Sequence, residues 1–424
     1  MARVEVSGKS FSVDGKLFVP WGANYFVPRT GWAPQLWKTF DVNRAEADFA
    51  LMESVGVNVV RVFGTWMSFV ESETKINKEG FNKFEKMAAI AWKHGIRLHP
   101  TGPDHWEGAP AFMRGDANYI ISEHLLQAAE NYWREMNVRY KNDERIFAWD
   151  ILNEPWVRPN DTFWAAWAPI AEAHGWPASP DRRDTFSDPA AAVAYQKLCC
   201  QYGDAWLERM TAAIREGGNK TLVTVGFLQY IFPMSGFCGF NPAWAAANHD
   251  FLSYHYYPGM IDHSLQYRRA LDRGVLTAAY MAGFGKPVFN GEFSWVGGNT
   301  ELAQIGGSQF LPSSEEQGAI WNRDLVWETR PYVCGWLNWG TFDVPEAQDC
   351  TRHSGMFNAD GGKKVWGSMF ESMAPAIKAS KPAGRLPVRT FDGAANYDPE
   401  VRQSELVRLT NLRRTEGDFV LKQA

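Results

Sequence analysis

Cysteine is scarce in this chain: Cys199, Cys200, Cys238, Cys334 and Cys350 are all there are in 424 residues. Their number is odd, two are adjacent, and no spacing suits a zinc site, so neither a disulfide framework nor a structural metal is read from them. Free thiols of a reducing compartment are expected. No apolar run reaches membrane-spanning length, and the opening stretch "MARVEVSGKSFSVDGK" has no apolar leader core. Together these set the expectation of a soluble cytoplasmic protein that binds no membrane. Runs of Lys or Arg are missing and the net charge is -5 at pH 7, which argues against a nucleic-acid surface. There is also no internal repeat, no low-complexity tract, and no Gly-rich nucleotide loop after the first predicted strand.

What is present is a substantial core, with 45% hydrophobic and 21% charged residues. Tryptophan is abundant, at 20 residues. Eight of them (Trp66, Trp106, Trp156, Trp164, Trp167, Trp176, Trp295 and Trp339) fall just beyond predicted strands or in long loops. A flat apolar ring with one polar edge suits the face of a sugar, so several of these are expected to bind carbohydrate.

The chain opens with two alternating runs around Asp14-Gly15, a hairpin signal. A core strand over Phe18–Asn24 follows. Helical stretches over Asn43–Val55, Phe81–His94 and Ser122–Arg139 then precede the strands "GVNVVRVFG", "GIRLHPTG" and "RIFAWDILNEP". The helix Pro189–Glu216 leads to "TLVTVGF", and a loop-rich segment leads to "DFLSYHYYP". Helices Ser264–Ala282 and Ser314–Thr329 precede "KPVFNGEFS" and "YVCGWLNWG", and a last helix covers Val365–Ala379. Eight near-continuous apolar strands alternating with helices indicate an α/β fold, a (β/α)8 TIM barrel over residues 1–380 with an N-terminal β-hairpin. Residues 381–424, Pro- and Gly-rich at first and then polar, read as a C-terminal extension packed on the barrel.

In such barrels the chemistry lies at the C-terminal strand ends. Those ends carry Asn24, Arg61, His99, Asn153 with Glu154, His255 with Tyr257, Glu292 and Trp339. The stretch "AWDILNEPW" thus runs apolar along the barrel wall and delivers Glu154 into the mouth, where an acid does not have to sit in apolar surroundings. Glu154 and Glu292, on the fourth and seventh strands, face each other across that mouth. Glycosidases that retain anomeric configuration need two close carboxylates, one to attack carbon and one to protonate the leaving oxygen.

The motifs "WDILNEP", "SYHYYP", "NGEFS" and "GWLNWG", in this order, resemble those of glycoside hydrolase family 5, over roughly residues 10 to 380. The resemblance implies Glu154 as acid/base, Glu292 as nucleophile, and no metal or cofactor. It further implies that Arg61 keeps the nucleophile ionised, that Asn153 binds the sugar 2-hydroxyl, and that Trp339 lies beneath the sugar. His255 and Tyr257 match the family's His-x-Tyr pair, with Tyr257 touching the nucleophile. Glu154 is expected to be protonated at rest through partial burial and the Glu292 anion. The segment "IRLHPTGPDHW" places Trp106 at mannanase-like spacing, with Asp104-His105 where mannan-degrading relatives resemble Asn-Asn, and His105 is expected to contact substrate beside it.

The expected function is a retaining, exo-acting hydrolase of short β-mannosides with an oligosaccharide as its partner. Long loops after the fourth strand (Trp156–Asp188), the seventh (Ser294 to about Ser313, starting with Trp295) and the eighth (Thr341–Lys364) are expected to wall a pocket. Within the family, β-glucosidase, endoglucanase or endo-β-mannanase activity is the alternative. A catalytically dead carbohydrate-binding barrel would have to lack a carboxylate, and both are present. A Schiff-base enzyme would need a strand-end Lys, and none of these strand ends has one.

Overall fold

The computed structural model describes residues 2–31, 35–179, 188–258, 267–295, 303–305, 308–310 and 313–424. Three short antiparallel strands open the chain: β1 (Glu5–Ser7), β2 (Ser10–Val13) and β3 (Lys16–Phe18). The β2–β3 turn is the Asp14-Gly15 pair, with φ of 50° and 71°. Two consecutive left-handed residues are what a two-residue hairpin turn requires, and an Asp-Gly step supplies them at little steric cost.

Eight parallel strands then close a barrel in chain order: β4 (Trp21–Asn24), β5 (Val59–Thr65), β6 (Arg97–Asp104), β7 (Ala148–Asn153), β8 (Leu222–Phe227), β9 (Leu252–Tyr256), β10 (Val288–Phe293) and β11 (Trp336–Asn338). β5, β6, β8, β9 and β10 are buried along their whole length, as strands covered on both faces must be. The register sets Asn24 beside Arg61, Asn153 beside Gly226, and His255 beside Glu292.

The covering helices are α1 (Val42–Ser54), α2 (Lys78–Lys93), α3 (Glu123–Tyr140), α4 (Asp161–His174), α5 (Pro189–Arg215), α6 (Pro242–Asn248), α7 (Tyr267–Ala282), α8 (Glu315–Thr329) and α9 (Val365–Lys378). In α2 the buried residues Phe81, Phe84, Met87, Ala88 and Ala91 recur at three- and four-residue spacing, the inward stripe of an amphipathic helix. Among the described residues, no helix is long and apolar enough to cross a membrane.

The N-terminal strands plug the bottom of the barrel. Phe11 meets Phe147 and Phe251 edge-on at 5.2 and 5.1 Å, in a cluster with Phe289 and Leu337. At the other end of the chain, β12 (Val388–Phe391) and β13 (Val420–Gln423) pair in parallel around α10 (Pro399–Glu416). Gln423 donates to the Tyr280 hydroxyl at 2.9 Å, and Arg414 pairs with Asp272 at 2.5 Å, both on α7.

Two sequence expectations are corrected. The third barrel strand does not end at His99. It runs on through Pro100 and Pro103 to Asp104, and His99 is a barrel-core residue whose Nδ1 lies 2.8 Å from the Ala148 carbonyl, against Phe147 and Phe289. The stretch after the fourth strand is not all loop either. α4 forms there, capped by Asn160 accepting from the Phe163 amide, and it tolerates Pro169 in its interior.

Candidate active site

Arg61 is the hub of the barrel mouth and is fully buried. Its Nε and Nη2 donate to Asp150 Oδ2 at 2.9 and 2.7 Å. Nη1 donates to Glu292 Oε1 at 2.5 Å and to Asn24 Oδ1 at 2.9 Å, while Nη2 also reaches Asn153 Oδ1 at 2.9 Å. A buried guanidinium needs this many acceptors to offset its desolvation, and two carboxylates raise its pKa against the burial that lowers it. Asn24 is fixed in turn by donating to the Gly291 and Asn338 carbonyls at 3.0 and 3.2 Å.

Glu292 has a donor on each oxygen, Arg61 on Oε1 and the Tyr257 hydroxyl on Oε2 at 2.6 Å. Glu154 Oε1 lies 2.8 Å from His255 Nδ1, and the same nitrogen lies 3.5 Å from Glu292 Oε1. His255 fits between β8 and β10 because glycine occupies both flanks. A Cβ on Gly226 would come within 2.7 Å of its Nε2, and one on Gly291 within 3.2 Å. One side-chain atom each from Glu154, His255 and Glu292 lie within 4.8 Å of one another.

Glu154 stands at the turn out of β7 with φ of 44°, left-handed backbone that a non-glycine residue adopts at a cost of about 1–3 kcal/mol. Its amide is held by the Gly226 carbonyl at 3.1 Å. The side chain keeps 27% exposure where the Glu292 side chain has 4%.

Burial pushes the Glu154 carboxyl up to about 7; Arg61 opposes this, and the negative neighbours Asp104 and Asp150 add to it. Burial also lifts Glu292, with His255, Arg61 and the Tyr257 hydrogen bond pulling it back and Glu154 adding to the rise. Hydrogen bonds to the charged form favour that form. Glu292, with two such donors, is the member of the pair built to stay ionised, which leaves the proton to Glu154. His255 is neutral near pH 7, because burial lowers its pKa to about 4.

Trp339 follows β11 and donates from Nε1 to Thr351 at 2.8 Å. Its ring packs with Phe26 at 5.1 Å and Phe63 at 5.8 Å, in a cluster that holds Tyr257, Val344, Ala347 and Cys350, with Trp106 at its edge. His105 is half exposed; its ring stacks on Trp106 at 4.7 Å and its Nδ1 lies 2.7 Å from Asp104 Oδ1. That stacking covers part of the Trp106 ring offered for sugar contact.

Among the residues singled out from the sequence, Arg61, Asn153, Tyr257 and Glu292 form one hydrogen-bonded set and Glu154 pairs with His255, whose Nδ1 lies 3.5 Å from Glu292, with Trp339 and Trp106 beside them. Trp295 turns elsewhere, onto Trp321 at 5.2 Å, with its amide held by Asn322 at 2.8 Å. Trp66 and Trp167 are core residues, 1% and 0% exposed, and so are not among the several tryptophans that can meet a sugar. Trp176 stacks on Trp167 at 6.0 Å. Residues 180–187 of the loop after β7, and 296–302, 306–307 and 311–312 of the loop after β10, lie outside the described residues. Sequence reasoning missed Asp150. The signal was present, since an Asp inside the apolar run "AWDIL" requires a buried cation.

The family model described as Cellulase (glycosyl hydrolase family 5) matches residues 22–341. Among curated proteins, the chain is 29% identical over 168 residues to "Probable mannan endo-1,4-beta-mannosidase A" of Aspergillus clavatus, covering 37% of this chain and 43% of that protein. It is 26% identical over 176 residues to "Mannan endo-1,4-beta-mannosidase A" of Hypocrea jecorina, covering 36% and 38%. These matches span less than half the length of either relative. Among solved structures, the fold is similar to exo-beta-1,4-mannosidase Op5Man5 from Opitutaceae bacterium strain TAV5, with TM-score 0.72 and 18% identity over 100% of this chain and 72% of that one. It is also similar to GH5_18 from Streptomyces cattleya in complex with GlcNAc, with TM-score 0.72 and 17% identity over 99% and 94%. A model matched over most of the barrel, on a chain whose fourth and seventh strands present a facing pair of glutamates, leaves one assignment: the chain belongs to glycosyl hydrolase family 5.

Proposed function

We propose that this enzyme hydrolyses β-mannosidic bonds with retention of configuration, releasing single sugars from the non-reducing ends of short β-mannosides. The observation that carries the retaining mechanism is the closeness of the pair, with Glu154 and Glu292 atoms within 4.8 Å. Inverting enzymes hold their carboxyls about 6.5–9.5 Å apart to admit a water, and retaining ones about 5–5.5 Å. In the first step a Glu292 oxygen bonds to the anomeric carbon as the glycosidic C–O bond breaks, and the Glu154 proton passes to the leaving oxygen. In the second, Glu154 takes a proton from water, the water oxygen bonds to the anomeric carbon, and Glu292 departs as carboxylate.

The exo reading is supported by loops tied together around the mouth. Val344, Ala347 and Cys350, from the loop after β11, pack over Trp339. The Gly31 amide donates to Glu346 at 3.2 Å and Arg29 pairs with Asp360 at 2.5 Å, joining that loop to the one after β4. Gln35 donates to the Trp106 carbonyl at 2.7 Å, extending the ring to the loop after β6. The mannoside reading is supported by the mannan-acting relatives and the exo-mannosidase neighbour.

Time-resolved product analysis on a mannohexaose-type substrate tests it. Monosaccharide in the first minutes is expected, whereas early di- and trisaccharides would establish an endo-acting cleft. The pH profile is a second check. Glu154 must be protonated to act as acid, and its raised pKa keeps the proton on up to about 7. kcat/KM is therefore expected to fall above pH 7, about 10-fold per unit, with the bend near 7 reporting the coupled pair. A rate flat to pH 9 would contradict this.

A further inference from the structure

The geometry points to Asp104 as a substrate-binding residue whose free oxygen accepts hydrogen bonds from hydroxyls of the glycone ring, setting specificity beside the catalytic pair. This rests on the proposed reading in that the ring over Trp339 is the glycone. Asp104 ends β6 at the barrel mouth with its side chain 5% exposed. Both contacts it makes fall on one atom. Oδ1 accepts from the His105 amide at 2.6 Å and lies 2.7 Å from His105 Nδ1. Oδ2 has no protein donor among the described residues, yet it is not among the sealed polar atoms of the interior. A carboxylate oxygen left open in a side chain otherwise buried costs free energy unless a donor arrives. Sugar hydroxyls are such donors.

Two further observations put Asp104 beside the catalytic pair, and a third holds its segment in place. Trp106, two residues on, joins the aromatic cluster of Trp339, Phe26 and Phe63. Asp104 is close enough to Glu154 for its charge to be felt there. The segment is also held rigidly by Glu107, a carboxylate 1% exposed. Its Oε1 accepts from the Trp37 and Lys38 amides at 2.6 and 3.1 Å; its Oε2 accepts from the Thr65 hydroxyl at 2.7 Å and from the Ser68 hydroxyl. Glu107 thereby pins the loops after β4, β5 and β6 together. A fixed acceptor discriminates between hydroxyl arrangements, because a sugar that lacks the matching donor leaves it unpaired.

The test is a coupling measurement on small substrates that carry only the glycone. Wild type, Asp104→Ala and Asp104→Asn are assayed on the 4-nitrophenyl β-glycoside that wild type turns over fastest and on its 3-, 4- and 6-deoxy analogues. That choice of sugar shows separately whether the mannoside reading holds. Asp104→Ala is expected to lower kcat/KM on the full sugar about 10²-fold. On the deoxy analogue lacking the hydroxyl that Asp104 reads, wild type is expected to lose a similar factor, and the variant to lose no more. Asp104→Asn, which keeps the shape and one acceptor, is expected to fall between the two. Thermal melts of both variants report folding independently. Equal losses on every substrate, or a loss seen only when an oligosaccharide aglycone is present, would overturn the assignment.

Discussion

Glu292→Ala is expected to lower kcat by about 10⁵-fold or more on any β-glycoside the enzyme cleaves, the scale seen when a catalytic nucleophile is removed. On the proposed mechanism the variant loses the atom that bonds to the anomeric carbon while keeping Arg61, Tyr257 and the aromatic cluster around Trp339. Added azide should fill the vacated space, attack from the same face, and yield an α-glycosyl azide. Glu154→Ala should behave differently, because its loss removes the proton donor and leaves the nucleophile intact. Slow turnover of substrates with activated aryl leaving groups should persist, and turnover of natural sugars should collapse. Wild-type-like rates from either variant on a natural sugar would contradict the assignment.

The second large effect is on stability. Arg61 is shared between two buried carboxylates, Asp150 at 2.7 Å and Glu292 at 2.5 Å. Removing it leaves both charges unpaired in the barrel interior, and breaking a buried pair from one side costs about 3–5 kcal/mol. Arg61→Met is expected to lower the unfolding free energy measured by urea titration at pH 7 by that amount, with a correspondingly lower midpoint. The deficit should shrink as pH falls, because the orphaned carboxyls can then take protons. Adding Asp150→Asn should recover part of the loss by removing one stranded charge. An unchanged midpoint for Arg61→Met would show that water or relaxation satisfies the pocket.

The barrel was legible in the sequence because strands covered on both faces must be apolar throughout, and "VVRVFG", "LVTVGF" and "VFNGEF" are so apart from the residues that serve the mouth. Two of those exceptions, Arg61 and Glu292, are themselves the signal. Glu154 was legible for the same reason, as an acid at the end of an apolar run. The extension of β6 was not, since Pro100 and Pro103 normally argue against a strand interior. α4 was hidden likewise by Pro169 and by its place in a stretch full of turn residues. The roles of Asp104, Asp150 and Glu107 depend on contacts between elements far apart in the chain. Composition flags such buried acids as needing partners without saying which. The tryptophans show the opposite limit, because a large ring suits a sugar face and a protein core equally. Only the fold separates Trp339 at the mouth from Trp66 and Trp167 in the interior.

The proposed retention of configuration rests on the closeness of Glu154 and Glu292, from which Glu292 is proposed to act as nucleophile and not as activator of water. Proton NMR of the first-formed product, recorded before mutarotation on a β-glycoside the enzyme turns over, reads that distinction. The β-anomer should appear first, with the α-anomer growing in only as the free sugar equilibrates. Initial release of the α-anomer would mean single displacement by water and would contradict the proposed roles of the pair.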